Sequence, residues 1–370
     1  MRFSYKGDWS KRKLNEICLF FKGNGLSKSD LSNEGFPCIL YGELYTTYKN
    51  EVISDIISKT NTTLSNPFLS RNNDLIIPGS GEDPIDIAVA RAIYQNDIIL
   101  GGDLNILRPK SNVSAAFLSY QLNGVRRYDI AKKAQGKSIV HLHNSDLKEV
   151  LVSIPSYDEQ LHIVKLLTKI DEMIETQIKI IDTLSSQKKQ IRNLIFKDIH
   201  KNANCCIQDY VIYEQPQKYI VHSTDYLSYG KDYTPVLTAN QSFILGYTLE
   251  KDGIYEKGDC IIFDDFTNEN KYVDFPFKVK SSALKILQTK EGLMLKFFYE
   301  YLQFLNFEST DHKRHYLSEV AVTDISVPNL KEQTFVCKIF TSFDNKLKNE
   351  EALLEKYRLQ KQFFLNNLFI

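Results

Sequence analysis

The sequence predicts an α+β protein built from two copies of one repeat, each a mixed α/β head followed by a long coiled-coil helix. Two observations support this fold class. A segment that opens a helix occurs twice, and each copy leads into a heptad pattern of apolar residues. We therefore expect heads over residues 1–154 and 203–327, and long helices over residues 155–202 and 328–370.

The repeated segment reads SIPSYDEQLHIVKLLTKID at residues 153–171 and SVPNLKEQTFVCKIFTSFD at residues 326–344. Pro155 and Pro328 occupy equivalent positions, 173 residues apart. Proline suits the entrance of a helix and is excluded from its interior, so each copy marks a helix start. At the same offset, further identical pairs are Glu159/Glu332, Gln160/Gln333, Lys165/Lys338, Thr168/Thr341, Asp171/Asp344, Gln187/Gln360, Lys188/Lys361, Asn193/Asn366 and Phe196/Phe369.

An apolar stripe follows each helix start, with spacings that alternate between three and four residues. Such a stripe needs a partner, and the twin helix is the obvious one. Both stripes carry polar residues at the same two places, Gln177 with Glu350 and Lys188 with Lys361, and such residues help to fix register and orientation. The predicted helix-pairing and partner-binding residues are Leu167, Ile170, Ile174, Ile181, Leu184, Ile191, Phe340, Phe343, Leu347, Leu354, Tyr357 and Phe364.

The heads correspond more weakly than the helices. Residues 73–77 resemble 258–262, a turn followed by a buried strand, and residues 117–120 resemble 298–301, a short helix. These offsets lie near 180 to 185, so the heads have gained and lost residues while the helices kept their register. We interpret this as a fixed frame that carries two heads with different tasks.

Composition indicates a folded protein that works in the cytoplasm. The chain is 43% hydrophobic, and 46 basic residues balance 46 acidic ones, which does not favour a simple nucleic-acid binder. No apolar leader opens the sequence, and no run of about 18 apolar residues could cross a membrane. The six cysteines lack a C-x-x-C spacing and are expected to be reduced thiols.

A search for catalytic signatures finds near misses. Gly136-Lys137-Ser138 resembles the end of a phosphate-binding loop, but Ala131 stands where that motif needs glycine. No D/N-P-P-Y/F segment of an amino methyltransferase occurs. His141 and His143 lack further ligands at metal spacing, Cys205-Cys206 is awkward as a chelate, and Asp264-Asp265 is expected to be a solvated turn. We therefore predict no catalytic residue, no metal and no cofactor in this chain.

Polar and basic side chains in both heads are candidates for contact with DNA. Asparagine, glutamine and arginine can read base edges, while lysine and arginine mainly position phosphates. The candidates in the first head are Tyr41, Tyr45, Thr46, Ser80, Arg91, Arg126, Arg127, Lys133 and Lys137. Those in the second head are Thr238, Asn240, Gln241, Asn268, Asn270, Lys271, Lys313, Arg314 and His315.

The twofold P-x-x-x-E-Q opening of a long helix, each after a divergent head, resembles the DNA-specificity subunit of Type I restriction–modification enzymes. The stretches from Gly136 to Pro155 and from His315 to Pro328 are also similar to that family. The resemblance implies two target recognition domains, each reading one half of a split double-stranded DNA sequence. It also implies two antiparallel helices, related with their heads by a pseudo-two-fold axis, that act as a ruler for the unread spacer.

The same resemblance implies partner subunits: two methyltransferase subunits, and then restriction–translocation subunits. Adenine methylation with S-adenosylmethionine would belong to those partners, which agrees with the empty search for catalytic signatures.

Three alternatives remain open from the residues alone. The chain could be a duplicated coiled-coil scaffold whose heads bind protein or glycan. It could be an enzyme with unrecognised catalytic residues, although the two divergent heads share no reactive constellation. It could also be a specificity subunit that serves methylation alone, without a nuclease partner.

Overall fold

The computed structural model describes residues 8–230, 232–239, 242–307 and 314–369. The chain forms two compact units: the first is Met1–Lys179 with Ala352–Ile370, and the second is Ile180–Glu351. Each long helix thus contributes one half to each unit, whereas the sequence-based boundaries treated the helices as separate domains. Within the described ranges, no helix is both long and apolar enough to span a membrane.

The first unit contains fourteen described strands and six short helices before the first long helix. Its strands are β1 (Ser10–Lys13), β2 (Cys18–Lys22), β3 (Leu31–Ser32), β4 (Phe36–Ile39), β5 (Val52–Ile53), β6 (Ser58–Thr60), β7 (Asp74–Pro78), β8 (Ser80–Gly81), β9 (Arg91–Ile93), β10 (Ile99–Leu100), β11 (Leu104–Pro109), β12 (Gln135–Gly136), β13 (Val140–His141) and β14 (Leu151–Ile154). Its helices are α1 (Leu14–Ile17), α2 (Glu43–Thr46), α3 (Pro84–Ile87), α4 (Ala115–Asn123), α5 (Arg127–Ala131), α6 (Asn144–Lys148) and the long α7 (Tyr157–His200), which continues into the second unit.

The main sheet of the first head has the order β2-β11-β7-β9-β5. Its side chains alternate between two cores, as the period of a strand requires. Leu75 and Ile77 pack with α4, while Ile76 packs in a second cluster with Ile39 and Leu100. Helix α4 is buried along most of its length because it lies between this sheet and α7.

The second unit repeats this arrangement with fewer strands. They are β15 (Cys205–Cys206), β16 (Val211–Glu214), β17 (Thr234–Leu237), β18 (Ile244–Thr248), β19 (Cys260–Asp264), β20 (Asn270–Val273), β21 (Lys278–Val279), β22 (Leu284–Thr289) and β23 (Asp324–Ile325). Its helices are α8 (Ile207–Tyr210), α9 (Leu295–Leu305) and the long α10 (Leu330–Asn367), which continues into the first unit. The main sheet has the order β16-β22-β19-β20 and packs on α9. The mixed α/β heads and long helices confirm the predicted fold class.

The predicted correspondence between the heads is wrong by one residue in two elements. Ile77 and Phe263 belong to the clusters that pack on α4 and α9, while Ile262 faces the opposite side of its sheet. Ile77 is therefore equivalent to Phe263, and the predicted pairing with Ile262 would invert the strand. Likewise, Phe117 is equivalent to Phe297, because Phe117 contacts Phe369 and Phe297 contacts Phe196, its counterpart in the repeat.

In each unit the two helix halves run antiparallel. In the first, Lys361 lies beside Asp171, and the later Phe369 packs in one core with the earlier Ile163. In the second, Lys188 lies beside Asp344, and Phe196 stacks near Phe340. The twelve predicted helix-pairing residues are all buried or half-buried, with Leu167 and Phe340 fully so.

The glutamine of the repeated motif ties each long helix to its head. The Gln160 Oε1 atom accepts from the Ser114 backbone N–H (2.9 Å), and its Nε2 group donates to the Asn112 and Pro155 carbonyls. Gln333 does the same with the Met294 N–H (2.7 Å) and the Gly292 and Pro328 carbonyls. Each glutamine thus supplies an acceptor at the start of α4 or α9, where helical N–H groups lack partners.

The repeated lysine and aspartate form a buried ionic cluster in each unit. In the first unit the Lys361 ammonium lies 2.6 Å from a Glu51 oxygen and 2.7 Å from an Asp171 oxygen. The Tyr120 hydroxyl also donates to Asp171 (2.6 Å). The lysine thus joins α10, α7 and the head at one point.

In the second unit, three cations surround two carboxylates. Lys188 contacts Asp344 and lies 3.3 Å from Glu300, Lys296 contacts both carboxylates, and Arg192 lies 2.8 Å from Glu300. Glu300 is fully buried, so the cations replace the water it has lost.

The pKa values of the two equivalent aspartates, Asp171 and Asp344, shift in opposite directions in the two clusters. Burial, together with the neighbouring charge of Glu51, raises the pKa of Asp171 above its ordinary value despite the contact with Lys361. Burial also acts on Asp344, but hydrogen bonds from Lys188 and Lys296 outweigh it and lower the pKa of that carboxyl. The pKa of the aspartate at the same repeat position is therefore shifted in opposite directions in the two units.

We expect Gln160→Ala and Gln333→Ala each to lower the free energy of unfolding by about 2–3 kcal/mol, because each leaves a buried N–H and two carbonyls without their partner. The exposed Gln187→Ala is the matched control, with a change within about 0.5 kcal/mol. Urea denaturation of the variants measures the difference. Equal effects of Gln187→Ala and Gln333→Ala would contradict the role assigned to the motif.

A second expectation concerns acid. The pKa of Asp344 is lower in the folded state than in the unfolded state, where it is near 3.8. The stabilising contribution of Asp344 is therefore present at pH values above the unfolded-state pKa, and it is lost as pH falls through the folded-state pKa. Asp344→Asn should therefore reduce the loss of stability below about pH 4. Asp171 has a raised pKa and contributes most at low pH, so Asp171→Asn should leave the acid loss as large or larger. Unfolding free energies measured against pH test this difference, which identical curves for the two variants would disprove.

Candidate nucleic-acid interface

One face of the first head is built on a three-stranded sheet in which β13 pairs with both β12 and β8. The turn after β12 requires glycine, since Gly136 has φ +136° and a Cβ there would lie 2.0 Å from the Ile139 carbonyl oxygen. This tight turn presents Lys137 to solvent. The Gly-Lys-Ser segment therefore belongs to β12 and the three-residue hairpin loop that joins it to β13, and not to a phosphate-binding loop.

Basic side chains precede this turn along α5 and its ends. Arg126 and Arg127 are half-buried, and they bond to Asp129 (3.2 Å) and to the Ile85 carbonyl (3.1 Å). Lys133 is half-buried and Lys137 is exposed. The segment thus combines anchored guanidinium groups with accessible ammonium groups, an arrangement suited to phosphate contact.

Two of the predicted residues of the first head, Tyr41 and Thr46, line a cavity of about 710 Å³. Ser80 is buried and reaches the same region by donating to Asp103 (3.1 Å), while Tyr45 is half-buried. The cavity is lined by Leu26, Ser27, Lys28, Leu31, Leu40, Tyr41, Gly42, Glu43, Thr46, Thr47, Gly102 and Asp103.

Arg91 does not join these residues. Only 6% of its surface is exposed, and its guanidinium donates to the Leu44 (3.1 Å) and Lys49 (3.2 Å) carbonyls. It therefore holds the α2 region against β9, and its proposed contact with DNA is withdrawn. Burial of Ser80 likewise restricts that side chain to a supporting role.

In the second head the structure separates the predicted residues into accessible and buried groups. Thr238, Asn270 and Lys271 are half-buried, and Asn270 bonds to the Asn268 carbonyl (3.2 Å) and to Gln303. The Arg314 side chain is 60% exposed and lies over the Phe266 ring. Asn240, Gln241 and Lys313 fall outside the described residues.

The prediction that Asn268 and His315 contact DNA is wrong, because both residues are buried and have structural roles. Asn268 is 4% exposed and adopts φ +59°, the left-handed conformation that closes the turn before β20. His315 is 2% exposed, bonds through Nδ1 to Glu319 (3.0 Å), and donates its backbone N–H to Asp265. Neither side chain lies at the surface where DNA would bind.

The expected solvated turn at Asp264-Asp265 is also wrong, because both residues are buried. Asp264 accepts from the Phe266 and Thr267 N–H groups, and Asp265 pairs with the buried Lys285 (3.1 Å). These carboxylates shape the β19–β20 turn.

Among the residues the structure describes, His222, Glu250 and Asp252 form a group whose ligand atoms lie within 4.8 Å of one another. Lys278 stands 2.6 Å from Glu250, so the group already holds a cation of its own. His141 and His143 stack at 6.1 Å on the exposed side of β13.

Sequence reasoning missed Glu51, Glu300 and Lys296, which complete the two ionic clusters. Glu51 precedes β5 and Glu300 lies on α9, positions that no motif marks. The repeated Lys188/Lys361 pair was the available signal, because a buried lysine requires a carboxylate partner.

Comparison with known proteins finds similarity to specificity subunits of Type I restriction enzymes. Residues 6–185 match the Type I restriction modification DNA specificity domain. The specificity subunit of the Escherichia coli Type I restriction enzyme EcoR124I/EcoR124II is 39% identical over 170 residues, 42% of this chain and 41% of that protein. The putative Type I restriction enzyme MjaX specificity subunit of Methanocaldococcus jannaschii is 24% identical over 205 residues, 51% of this chain and 45% of that protein. These matches span less than half the length of either relative.

Solved structures match the fold over nearly the whole chain. The Type I restriction–modification S subunit from M. genitalium superposes with a TM-score of 0.66 at 17% identity, covering 100% of this chain and 98% of that one. A chain from a structure of the assembly and conformational transition of the Type I restriction–modification system gives a TM-score of 0.53 at 12% identity, covering 98% of each.

Proposed function

Because this chain resembles specificity subunits of Type I restriction–modification enzymes, we propose that it belongs to that family and reads a split double-stranded DNA target, one half with each head. The observation that carries this proposal is the duplication itself. Two heads of one fold carry different residues at equivalent turns, while the helices that join them kept their register. Heads that diverge more than the helices are what reading two different half-sites requires.

We further propose that the chain directs chemistry performed by other subunits. Methyltransferase subunits, two by the symmetry of the repeat, would bind S-adenosylmethionine and methylate adenine, and restriction–translocase subunits would cut. The specificity subunit family is generally non-catalytic, and the buried hydrogen-bonded state of Asp264 and Asp265 supports a structural role for that carboxylate pair here. We place this activity in the cytoplasm, where the DNA is.

Within the first head, we propose that the segment from Arg126 to Lys137 contacts the DNA backbone. Its lysines are exposed or half-buried, and its arginines are anchored at their bases. Base reading is assigned to the polar residues near the adjoining cavity, Tyr41 and Thr46. In the second head, Arg314 and Lys271 are the accessible counterparts.

A scaffold whose heads bind protein is the second candidate, and exposed apolar side chains such as Phe36 (68%) and Tyr229 (78%) favour it. DNA is preferred because the 126–137 segment carries five basic residues against one acidic residue, and Lys132 and Lys137 are exposed.

The methylome tests the main proposal. The chain is co-expressed with a methyltransferase subunit encoded beside it, in a host without adenine methylation, and the DNA is sequenced by a modification-sensitive method. We expect a split motif with methylated adenine in both halves that disappears when this chain is omitted. No new methylation from a soluble, associated complex would favour the scaffold.

Replacing Lys132, Lys133 and Lys137 with glutamine should weaken DNA binding without changing the recognised sequence. Each lost phosphate contact lowers the slope of log K against log salt by about 0.9, so we expect a reduction of about 2–3 in the triple variant. The control replaces the exposed Lys59, Lys165 and Lys169. Fluorescence anisotropy across salt concentrations gives both slopes, and equal slopes would remove this segment from the interface.

A further inference from the structure

We infer that Glu51 and Glu300 are equivalent positioning residues, each fixing its head on a lysine of the long helices, and that this fixing sets how strictly the protein discriminates the spacing between two half-sites. The inference rests on the proposed reading of a split DNA target. It concerns the geometry with which a head is held and assigns no base contact to either glutamate.

The lysines that pair with these carboxylates occupy equivalent positions in the two copies of the repeat. Lys188 and Lys361 are 173 residues apart, as are their partners Asp171 and Asp344. Each lysine pairs with the aspartate of the other helix, Lys361 with Asp171 and Lys188 with Asp344. The helices thus place this lysine at the same position of the repeat in each unit, and α7 adds Arg192 in the second unit.

The carboxylate that each head adds does not come from the same position. Glu300 lies on α9, and its equivalent on α4 is Tyr120, whose hydroxyl donates to Asp171. The first head supplies Glu51 instead, from the residue before β5. Among the described strands, the equivalent sheet of the second head ends at β20, so β5 belongs to the first head only.

The backbone of Glu51 is held in place from two sides. The Ala92 N–H on β9 donates to the Glu51 carbonyl (2.8 Å), and so does the Ser119 hydroxyl on α4 (3.0 Å). The side chain is 5% exposed, and Asn123 donates to its second carboxylate oxygen (3.4 Å). The loop therefore presents the carboxylate rigidly to Lys361.

The two heads place a carboxylate beside equivalent lysines from different positions of the chain. This indicates that a carboxylate is required beside that lysine. Apolar contact between a head and a helix is non-directional and tolerates small sliding. A charge-assisted hydrogen bond in a buried site is short and directional, and its loss leaves an unpaired charge. The contacts best able to fix the angle and height of a head are therefore those of Glu51 with Lys361 (2.6 Å) and of Glu300 with Arg192 (2.8 Å) and Lys188 (3.3 Å).

The test compares Glu51→Gln and Glu300→Gln with the control Glu355→Gln, an exposed helix residue beside Arg358. Each chain is assembled with the methyltransferase subunit and given duplexes with the wild-type spacer, or one base pair more or fewer. The readout is the ratio of methylation rates on the correct and altered spacers at 25 °C, with the thermal midpoint measured in parallel.

We expect each glutamine variant to lower this ratio roughly three- to tenfold, while Glu51→Asp, which keeps the charge, recovers part of it and Glu355→Gln changes nothing. A lowered thermal midpoint with an unchanged ratio would overturn the inference, because the glutamates would then only stabilise the fold. If Glu51→Gln does not fold, Glu300→Gln and Glu51→Asp decide by the same ratio. A wild-type protein that methylates no split site would instead refute the proposed function.

Discussion

A half-buried lysine that bridges two carboxylates joins each head to the long helices. An unpaired ammonium group at this junction would be costly in free energy. The lysine is therefore stable there only when the head and both helices are all in contact. The stoichiometry differs between the units. One cation serves Glu51 and Asp171, whereas Lys188, Lys296 and Arg192 serve Glu300 and Asp344. The same junction thus has a surplus of negative groups in one unit and of positive groups in the other.

The motif glutamines add uncharged hydrogen bonds between each long helix and its head. Gln160 and Gln333 bond to the backbone at the start of α4 and α9 and at the helix entrance, so their contacts do not depend on the side chains of the heads. This explains why the motif is retained while the heads diverge. A backbone contact survives sequence change in the partner element, and a side-chain contact such as Glu51 with Lys361 has to be rebuilt.

Features with long periodic signals could be predicted from the sequence, and features set by single contacts could not. The repeat and the heptad stripes located the two helices. The strand register was missed by one residue at Ile77, because short apolar runs such as Leu-Ile-Ile and Cys-Ile-Ile-Phe align equally well in two registers. The burial of Arg91 and His315 was also invisible, since a basic residue in a strand or turn carries no local mark of its carbonyl or carboxylate partners. Glu51 could be paired with Lys361 only once the chain had folded, because 310 residues separate them.

The division of the chain between the units bears on the order of events during synthesis. The second unit is continuous, but the first needs residues 352–369, which leave the ribosome about 190 residues after Lys179. At roughly 5–20 residues per second, this delay lasts on the order of 10–40 s. Until it ends, Phe117 lacks Phe369, and the core of the first head lacks one wall. The head made first is therefore the one finished last, and a nascent chain must keep its unfinished apolar surface from aggregating while the other head folds.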